Sequence, residues 1–212
     1  MLAVKKAPAN YDLRVFINCP FDKKYKPIFD AVVFTVHDLG FVARHALIDD
    51  STVVRVERIA NELATCKYSL HDMSRVELGA NKLPRFNMPF EAGIAYSLHS
   101  LRPQNREHHL GVLDATPYQY QASISDIAGL DPKIHSNDPI KAIACVRDFL
   151  RKKSGNHQMP GAAHIAKRYA AFSSLLKPSA KEMKISLAEL KDWNYVNDLQ
   201  SMMALWIRKY PT

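Results

Sequence analysis

The sequence predicts an α/β fold, a five-stranded parallel sheet followed by a helical extension. Short apolar runs alternate with stretches of helical periodicity up to about residue 153, which is the signature of βαβ units and a parallel sheet. Five such runs joined by right-handed crossovers give the flavodoxin-like order 2-1-3-4-5. Past residue 153 the strand signal vanishes and only helical patterns remain.

Taken in order, residues 1–11 carry no periodicity and read as a flexible arm. Leu13-Arg14-Val15-Phe16-Ile17-Asn18 is a short apolar run stopped at Cys19-Pro20-Phe21-Asp22, a buried first strand. Pro27 suits the first turn of a helix, and Ile28, Phe29, Val32, Val33, Val36 and Leu39 recur at helical spacing up to Gly40, a good terminator. Residues 41–47 form strand two. Asp49-Asp50-Ser51-Thr52 supplies N-cap chemistry for a helix over about 53–65, whose stripe is Val53, Val56, Ile59, Ala60 and Leu63. Residues 67–72 form strand three, and a polar loop spans 73–86. A third helix opens at Asn87-Met88-Pro89-Phe90-Glu91, and Leu110-Gly111-Val112-Leu113-Asp114 is strand four. A short helix near 122–128 leads to a weak strand at 133–135, and Asp138-Pro139 starts a helix to about 152. Segments 160–176 and 195–210 read as helices. Ser179–Glu182 and Ser186–Glu189 both match the capping-box pattern. The expected organisation is an arm over 1–11, an α/β domain over 12–153 and a basic helical extension over 154–212.

At 212 residues the chain holds one core plus an appendage. Its 47% apolar and 24% charged residues suit a globular protein and argue against disorder. No apolar run approaches the ~18–20 residues that cross a bilayer, and the first residues lack the apolar stretch of a signal peptide. Cys19, Cys66 and Cys145 lie far apart and form neither a disulfide framework nor a CxxC ladder. A cytoplasmic protein with reduced thiols, away from membranes, is expected. The charge is uneven: residues 1–150 hold 18 Lys/Arg against 17 Asp/Glu, and residues 151–212 hold 11 against 4. Interleaved with Tyr169, Phe172, Trp193, Tyr195, Trp206 and Tyr210, that basic extension can dock nucleic acid or a regulatory partner. A solvated helical face, with Trp206 and Tyr210 turned inward, accounts for the same pattern.

In an open α/β sheet the ligand crevice lies beyond the carboxyl ends of the strands, at the switch between strands one and three. Strand one delivers Asn18, Cys19, Phe21 and Asp22 there, and strand two His45. Strand three brings His71, Asp72, Ser74 and Arg75, and the next loop and helix add Arg85, Phe86, Asn87 and Glu91. Glu91 stands out as an acid in the first turn of an otherwise apolar helix. The helix macrodipole favours an acid there. A functional carboxylate would face the crevice and stabilise or attack an electron-poor sugar carbon, as glycosidic cleavage requires. Asp72 can cap a loop, bind a hydroxyl or protonate a leaving base, and Asp22 can cap the first helix. His71 and His45 fit either a buried imidazole or a ligand contact. Arg75 and Arg85 suit phosphate or carboxylate. The histidines show no zinc spacing, so no metal is expected. No GxGxxG, GxxxxGK[ST] or GxSxG motif occurs.

Three stretches, Val15-Phe16-Ile17-Asn18-Cys19-Pro20-Phe21-Asp22, Tyr68-Ser69-Leu70-His71-Asp72-Met73-Ser74-Arg75 and Phe86-Asn87-Met88-Pro89-Phe90-Glu91-Ala92-Gly93, resemble a bacterial family related to nucleoside 2-deoxyribosyltransferases and, more distantly, to TIR domains. The resemblance covers about residues 13–150. It implies that Glu91 matches the transferase nucleophile and Asp72 the earlier acid, and TIR domains that cleave NAD carry a glutamate on the corresponding helix. Ser125-Asp126-Ile127-Ala128-Gly129-Leu130-Asp131 also looks characteristic of the family. The loop 73–86 has no counterpart in the transferases. The function expected from the resemblance is an N-glycosidase acting on NAD, a nucleoside or a nucleotide as substrate and without a cofactor. Glu91 and Asp72 would be catalytic, and Asn18, Phe21, Asp22, His71, Arg75, Phe86 and Asn87 would line the substrate site. Such domains serve in bacterial defence or toxin systems under a controlling partner. The rival expectation is a non-catalytic nucleotide-binding or TIR-like module that assembles, for example as a homo-oligomer.

Overall fold

A computed structural model describes residues 8–47, 54–75, 86–101, 107–121, 124 and 129–212. Its strands are Arg14–Asn18 (β1), Val42–Arg44 (β2), Tyr68–Asp72 (β3), His109–Asp114 (β4) and Lys133–Ile134 (β5). They form one sheet in the order β2-β1-β3-β4-β5, the flavodoxin-like order of an α/β fold. β1 pairs in parallel with β2 and β3, and β3 with β4. All of β3 is buried, as is β1 beyond Arg14, which is why these strands read as continuous apolar runs rather than as alternation. The register sets Asn18 opposite His71 and Asp72 opposite Leu113.

By packing, the chain falls into two units, Met1–Cys19 with Phe41–Pro132 and Pro20–Gly40 with Lys133–Thr212. The first holds helices α2 (Arg55–Ala64) and α3 (Asn87–Leu101). Ile59 and Leu63, four apart on α2, are fully buried with Phe16, Cys66, Ala95 and Leu110. Each such side chain contributes about 1.5–3 kcal/mol. A second cluster joins Met73, Met88, Ala92, Val112 and Tyr120.

The second unit holds α1 (Lys26–Asp38), α4 (Pro139–Ser154), α5 (Ala162–Ser174), α6 (Leu176–Glu182), α7 (Leu187–Leu190) and α8 (Val196–Lys209). The helices after residue 154 thus share a packing unit with α1 and α4. Apolar on most sides, α1 is buried along nearly its whole length. Gly40, at φ +82°, ends the chain segment after it in a conformation that favours glycine. Asp138 caps α4 by accepting from Ile140 N at 2.8 Å, with Pro139 in its first turn. Phe34 of α1 meets Tyr169, Phe172 and Trp206 at ring-centre distances of 5.3, 5.6 and 5.9 Å. Arg168 of α5 holds the buried Asp38 carboxylate at 2.8 Å.

The capping box at Ser186 and Glu189 forms; the one expected at Ser179 does not. The chain turns at Leu175 directly into α6, and Ser179 N already bonds Leu175 O, so Ser179 lies inside the helix. The expected cap at 49–52 and most of the 122–128 helix lie outside the described residues, as does most of the 73–86 loop. Cys19, Cys66 and Cys145 are buried free thiols, and burial pushes Cys66 up to about 12. Among the described residues no helix is long and apolar enough to cross a membrane.

Candidate active site

Parallel pairing builds the first part of the site. Residues opposite each other in register project to the same side, so Asn18 and His71 meet, and Asn18 Nδ2 lies 3.1 Å from His71 Nδ1. An amide nitrogen only donates, so Nδ1 accepts and the neutral ring carries its proton on Nε2. The ring is fully buried. Burial, and then the nearby His108, lower its pKa from 6.5 to about 3, so it stays neutral at physiological pH. Its Nε2–H is buried and has no hydrogen-bond partner. His108 is satisfied on both sides, donating from Nδ1 to Cys66 O at 2.9 Å and facing the Ser69 hydroxyl at 2.8 Å.

Glu91 supplies the second part. The expected first-turn position is corrected by one turn. Phe86 O accepts from Phe90 N, α3 begins at Asn87, and Glu91 is its fifth residue, with no acid in the first turn. Macrodipole effects fall off within that turn, so helix-end electrostatics do not account for the acid. It lies 4% exposed on the face of Met88, Ala92 and Ala95, whereas Phe86 and Phe90 are 68% and 62% exposed. Arg55 Nε of α2 stands 3.7 Å from Oε1, and Oε2 is buried without a partner. Burial raises the carboxyl above its usual 4.5, while Arg55 and then the Asn18 amide pull it back. Asn18 therefore works on both Glu91 and His71.

The other expected residues divide. Asp72 follows His71 on β3, and successive side chains leave a strand on opposite faces. It is buried, and Oδ1 accepts from Ser74 N at 2.9 Å and from the Ser74 hydroxyl. Its charge acts on Asp114, the fully buried last residue of β4, whose carboxyl burial raises first. Bonds from the amides of Ala115, Thr116 and Tyr120 lower Asp114, and Asp72 raises it further. Sequence reasoning missed Asp114. The available signal was its place at the carboxyl end of the strand beside β3.

Arg75 is partly buried just beyond β3, and Asn87 is the exposed first residue of α3. Arg85 and residues 125–128 lie outside the described residues. Phe21 and Asp22 belong to the second unit. There the Phe21 ring packs edge-on against Trp193 at 5.2 Å, and Asp22 Oδ1 accepts from Tyr25 N at 2.9 Å, a turn just ahead of α1.

The structure thus brings Asn18, His71, Glu91 and Arg55 together, with Asp72 and Asp114 as a second acidic pair at neighbouring strand ends. A neutral N–H donor without a partner and one unpartnered oxygen of a desolvated carboxylate suit a ligand carrying hydroxyl groups and developing positive charge. Among the described residues no three His, Cys, Asp or Glu side chains gather as a metal site would require. No family model, curated protein or solved structure matches the chain.

Proposed function

We propose that the first unit binds NAD, a nucleoside or a nucleotide and cleaves or transfers the bond between its sugar and its base. The observation that carries this reading is Glu91, a buried carboxylate one turn into a helix with Oε2 unpartnered. The resemblance of the three strand-end motifs to nucleoside 2-deoxyribosyltransferases supports it. In the proposed reaction the C1′–N bond breaks and its electron pair leaves with the base, which takes a proton from water. Glu91 stabilises the oxocarbenium-like C1′ or adds to it as a glycosyl ester. Water or a second base then attacks C1′ and frees the carboxylate.

Burial raises Glu91, so the ionised form is held in a poorly solvated state, which a cation at C1′ relieves. Asn18 orients the carboxylate, and His71 offers a neutral donor to a sugar hydroxyl. The exposed ring of Phe86 is the available wall for a base, with Asn87 beside it. The Phe21 ring is taken up by Trp193.

Incubation with NAD and a panel of nucleosides and nucleotides, followed by chromatography of released base, tests the reading. Glu91→Gln is expected to slow release about 10³-fold, which is ~4 kcal/mol of barrier. Wild-type rates in Glu91→Gln would remove the role assigned to this carboxylate.

A further inference from the structure

Among the described residues, three buried side-chain oxygens lack a hydrogen-bond partner: Glu91 Oε2, Gln119 Oε1 and Gln121 Oε1. All three belong to the first unit. The two glutamines share one turn, residues 115–121, which leaves the carboxyl end of β4. At this edge of the sheet β1 and β3 deliver Asn18, His71 and Asp72, and an open α/β sheet takes its ligand there. The turn is fastened twice. Asp114, fully buried, accepts from the amides of Ala115 at 2.7 Å, Thr116 at 3.4 Å and Tyr120 at 3.3 Å. The Tyr120 ring is buried with Met88 and Ala92, the neighbours of Glu91 on its face of α3, and its hydroxyl donates to Leu130 O. The place of the turn beside the Glu91 helix is therefore set by both β4 and α3.

What this fastened turn presents does nothing for the core. Tyr118 stands at φ +62°, a left-handed backbone that bulky side chains avoid, and it is 79% exposed. Strain of this kind gathers at ligand clamps and active sites. Gln119 and Gln121 flank the anchored Tyr120 and are half-buried, with their Oε1 atoms enclosed and without a donor. An enclosed acceptor with no partner gives up no bond when its side chain swings onto a ligand, and the ligand restores the hydrogen bond that burial removed. An amide oxygen accepts only from N–H or O–H groups. Two such acceptors match the two N–H bonds of a primary amine, and an exposed aromatic ring offers a stacking face to any base. Glutamine meets the amine edge of adenine by the same chemistry in a nucleic-acid groove.

We propose that the turn 115–121 reads the base of the substrate, with Tyr118 stacking on its face and Gln119 and Gln121 accepting from an exocyclic –NH2 group, so that amino bases are selected over their oxo counterparts. The proposal rests on the glycosidic reading for the place of the sugar and adds the class of base. Titration calorimetry tests it on the full chain carrying Glu91→Gln, in which turnover adds no heat. Adenosine is compared with inosine and cytidine with uridine, pairs in which an oxo group replaces the amine. The amino member of each pair is expected to bind about tenfold or more tightly. Adding Gln119→Leu and Gln121→Leu should bring the two members within about twofold. Because no bonded amide oxygen is lost, the thermal midpoint should hold or rise. Adding Tyr118→Gly instead, a residue that suits the positive φ, should weaken all four nucleosides about tenfold and leave the ratios intact. Equal affinity within both pairs overturns the proposal, as does selectivity that survives the two leucines. Undiminished binding in Tyr118→Gly overturns the stacking role. No heat from any nucleoside at about 10 mM, above the ~1 mM Kd of a weak ligand, overturns the site. Chromatography of base released by the wild-type chain separates the two readings. Release without amino selectivity ends this proposal alone, and amino-selective binding without release ends the glycosidic reading alone.

Discussion

Each unit buries a polar group beside rings or carboxylates, and the two resolve it in opposite ways. In the second unit Asp38 is answered by Arg168 at 2.8 Å, and Phe34 is closed in by Tyr169, Phe172 and Trp206. In the first, Asn18, His71 and Glu91 are just as buried, at 3%, 0% and 4% exposure, yet His71 Nε2 and Glu91 Oε2 have no partner. An unpartnered buried polar group costs about 1–3 kcal/mol. One cluster holds the fold together; on the proposed reading the other keeps groups in reserve for a ligand. The same contrast bears on the basic extension. Trp206 and Phe172, candidates for stacking bases, pack on Phe34 instead, so nucleic acid would have to be held there chiefly by charge.

The comparison breaks most visibly at Phe34. Removing a fully buried aromatic ring leaves a cavity as well as losing burial, so Phe34→Ala is expected to cost about 4 kcal/mol in urea unfolding. A loss below about 1 kcal/mol would mean that the ring cluster adds little, and the contrast would lapse.

Next comes Arg168→Met, expected to cost about 3 kcal/mol at pH 7, because it leaves Asp38 buried as an uncompensated anion. The pH dependence has a definite sign. Burial already raises Asp38 above 3.8 with Arg168 in place, and removing the cation raises it further. Protonation relieves the cost, so the deficit should shrink as pH falls from 7 toward 5. A deficit that grows on acidification would show that the pair is not the source.

How much of this was legible in the sequence follows from the range of each signal. β1, β3 and β4 and their order come from short apolar runs, and α1 and α8 from 3.6-residue spacing, all local patterns. Glu91 was legible as an acid among apolar neighbours, although it lies one turn deeper in its helix than the expected first turn. The Asn18–His71 bond was not legible, because it joins residues 53 apart through the β1–β3 register. Asp114 was overlooked because a strand-ending aspartate looks like ordinary loop chemistry until its carboxylate neighbour on β3 is known.

A functional carboxylate held against its own solvation should stabilise the protein when neutralised. On the proposed reading, Glu91→Gln is therefore expected to raise stability by about 1 kcal/mol at pH 7 while slowing base release about 10³-fold. Because the folded carboxyl titrates above 4.5, this advantage should fade as pH falls toward 4.5, the window in which turnover also declines. Arg55→Met removes a stabilising cation, so the acid limb of turnover should move to higher pH. A Glu91→Gln protein less stable than wild type would recast Glu91 and Arg55 as a structural clasp like Asp38 and Arg168.

The smallest effect belongs to His71. Its folded pKa of about 3 lies below the unfolded 6.5, so below pH 6.5 the unfolded chain binds a proton that the folded chain refuses. Its contribution to stability is complete above pH 6.5 and is lost as pH falls toward 3. Between pH 7 and 6 that amounts to about 0.7 kcal/mol for one group. His71→Gln removes this term while keeping a polar group beside Asn18. The difference between wild type and variant cancels Asp30, Asp38, Glu91 and Asp114, whose raised carboxyls shift stability the opposite way. Urea unfolding of both proteins at pH 7 and 6 measures it, and the wild type should lose the extra stability on acidification. Parallel losses would mean that His71 takes up its proton in the folded state. A cation there would not be the neutral donor that sets the first cluster apart, and the contrast with the second would lapse.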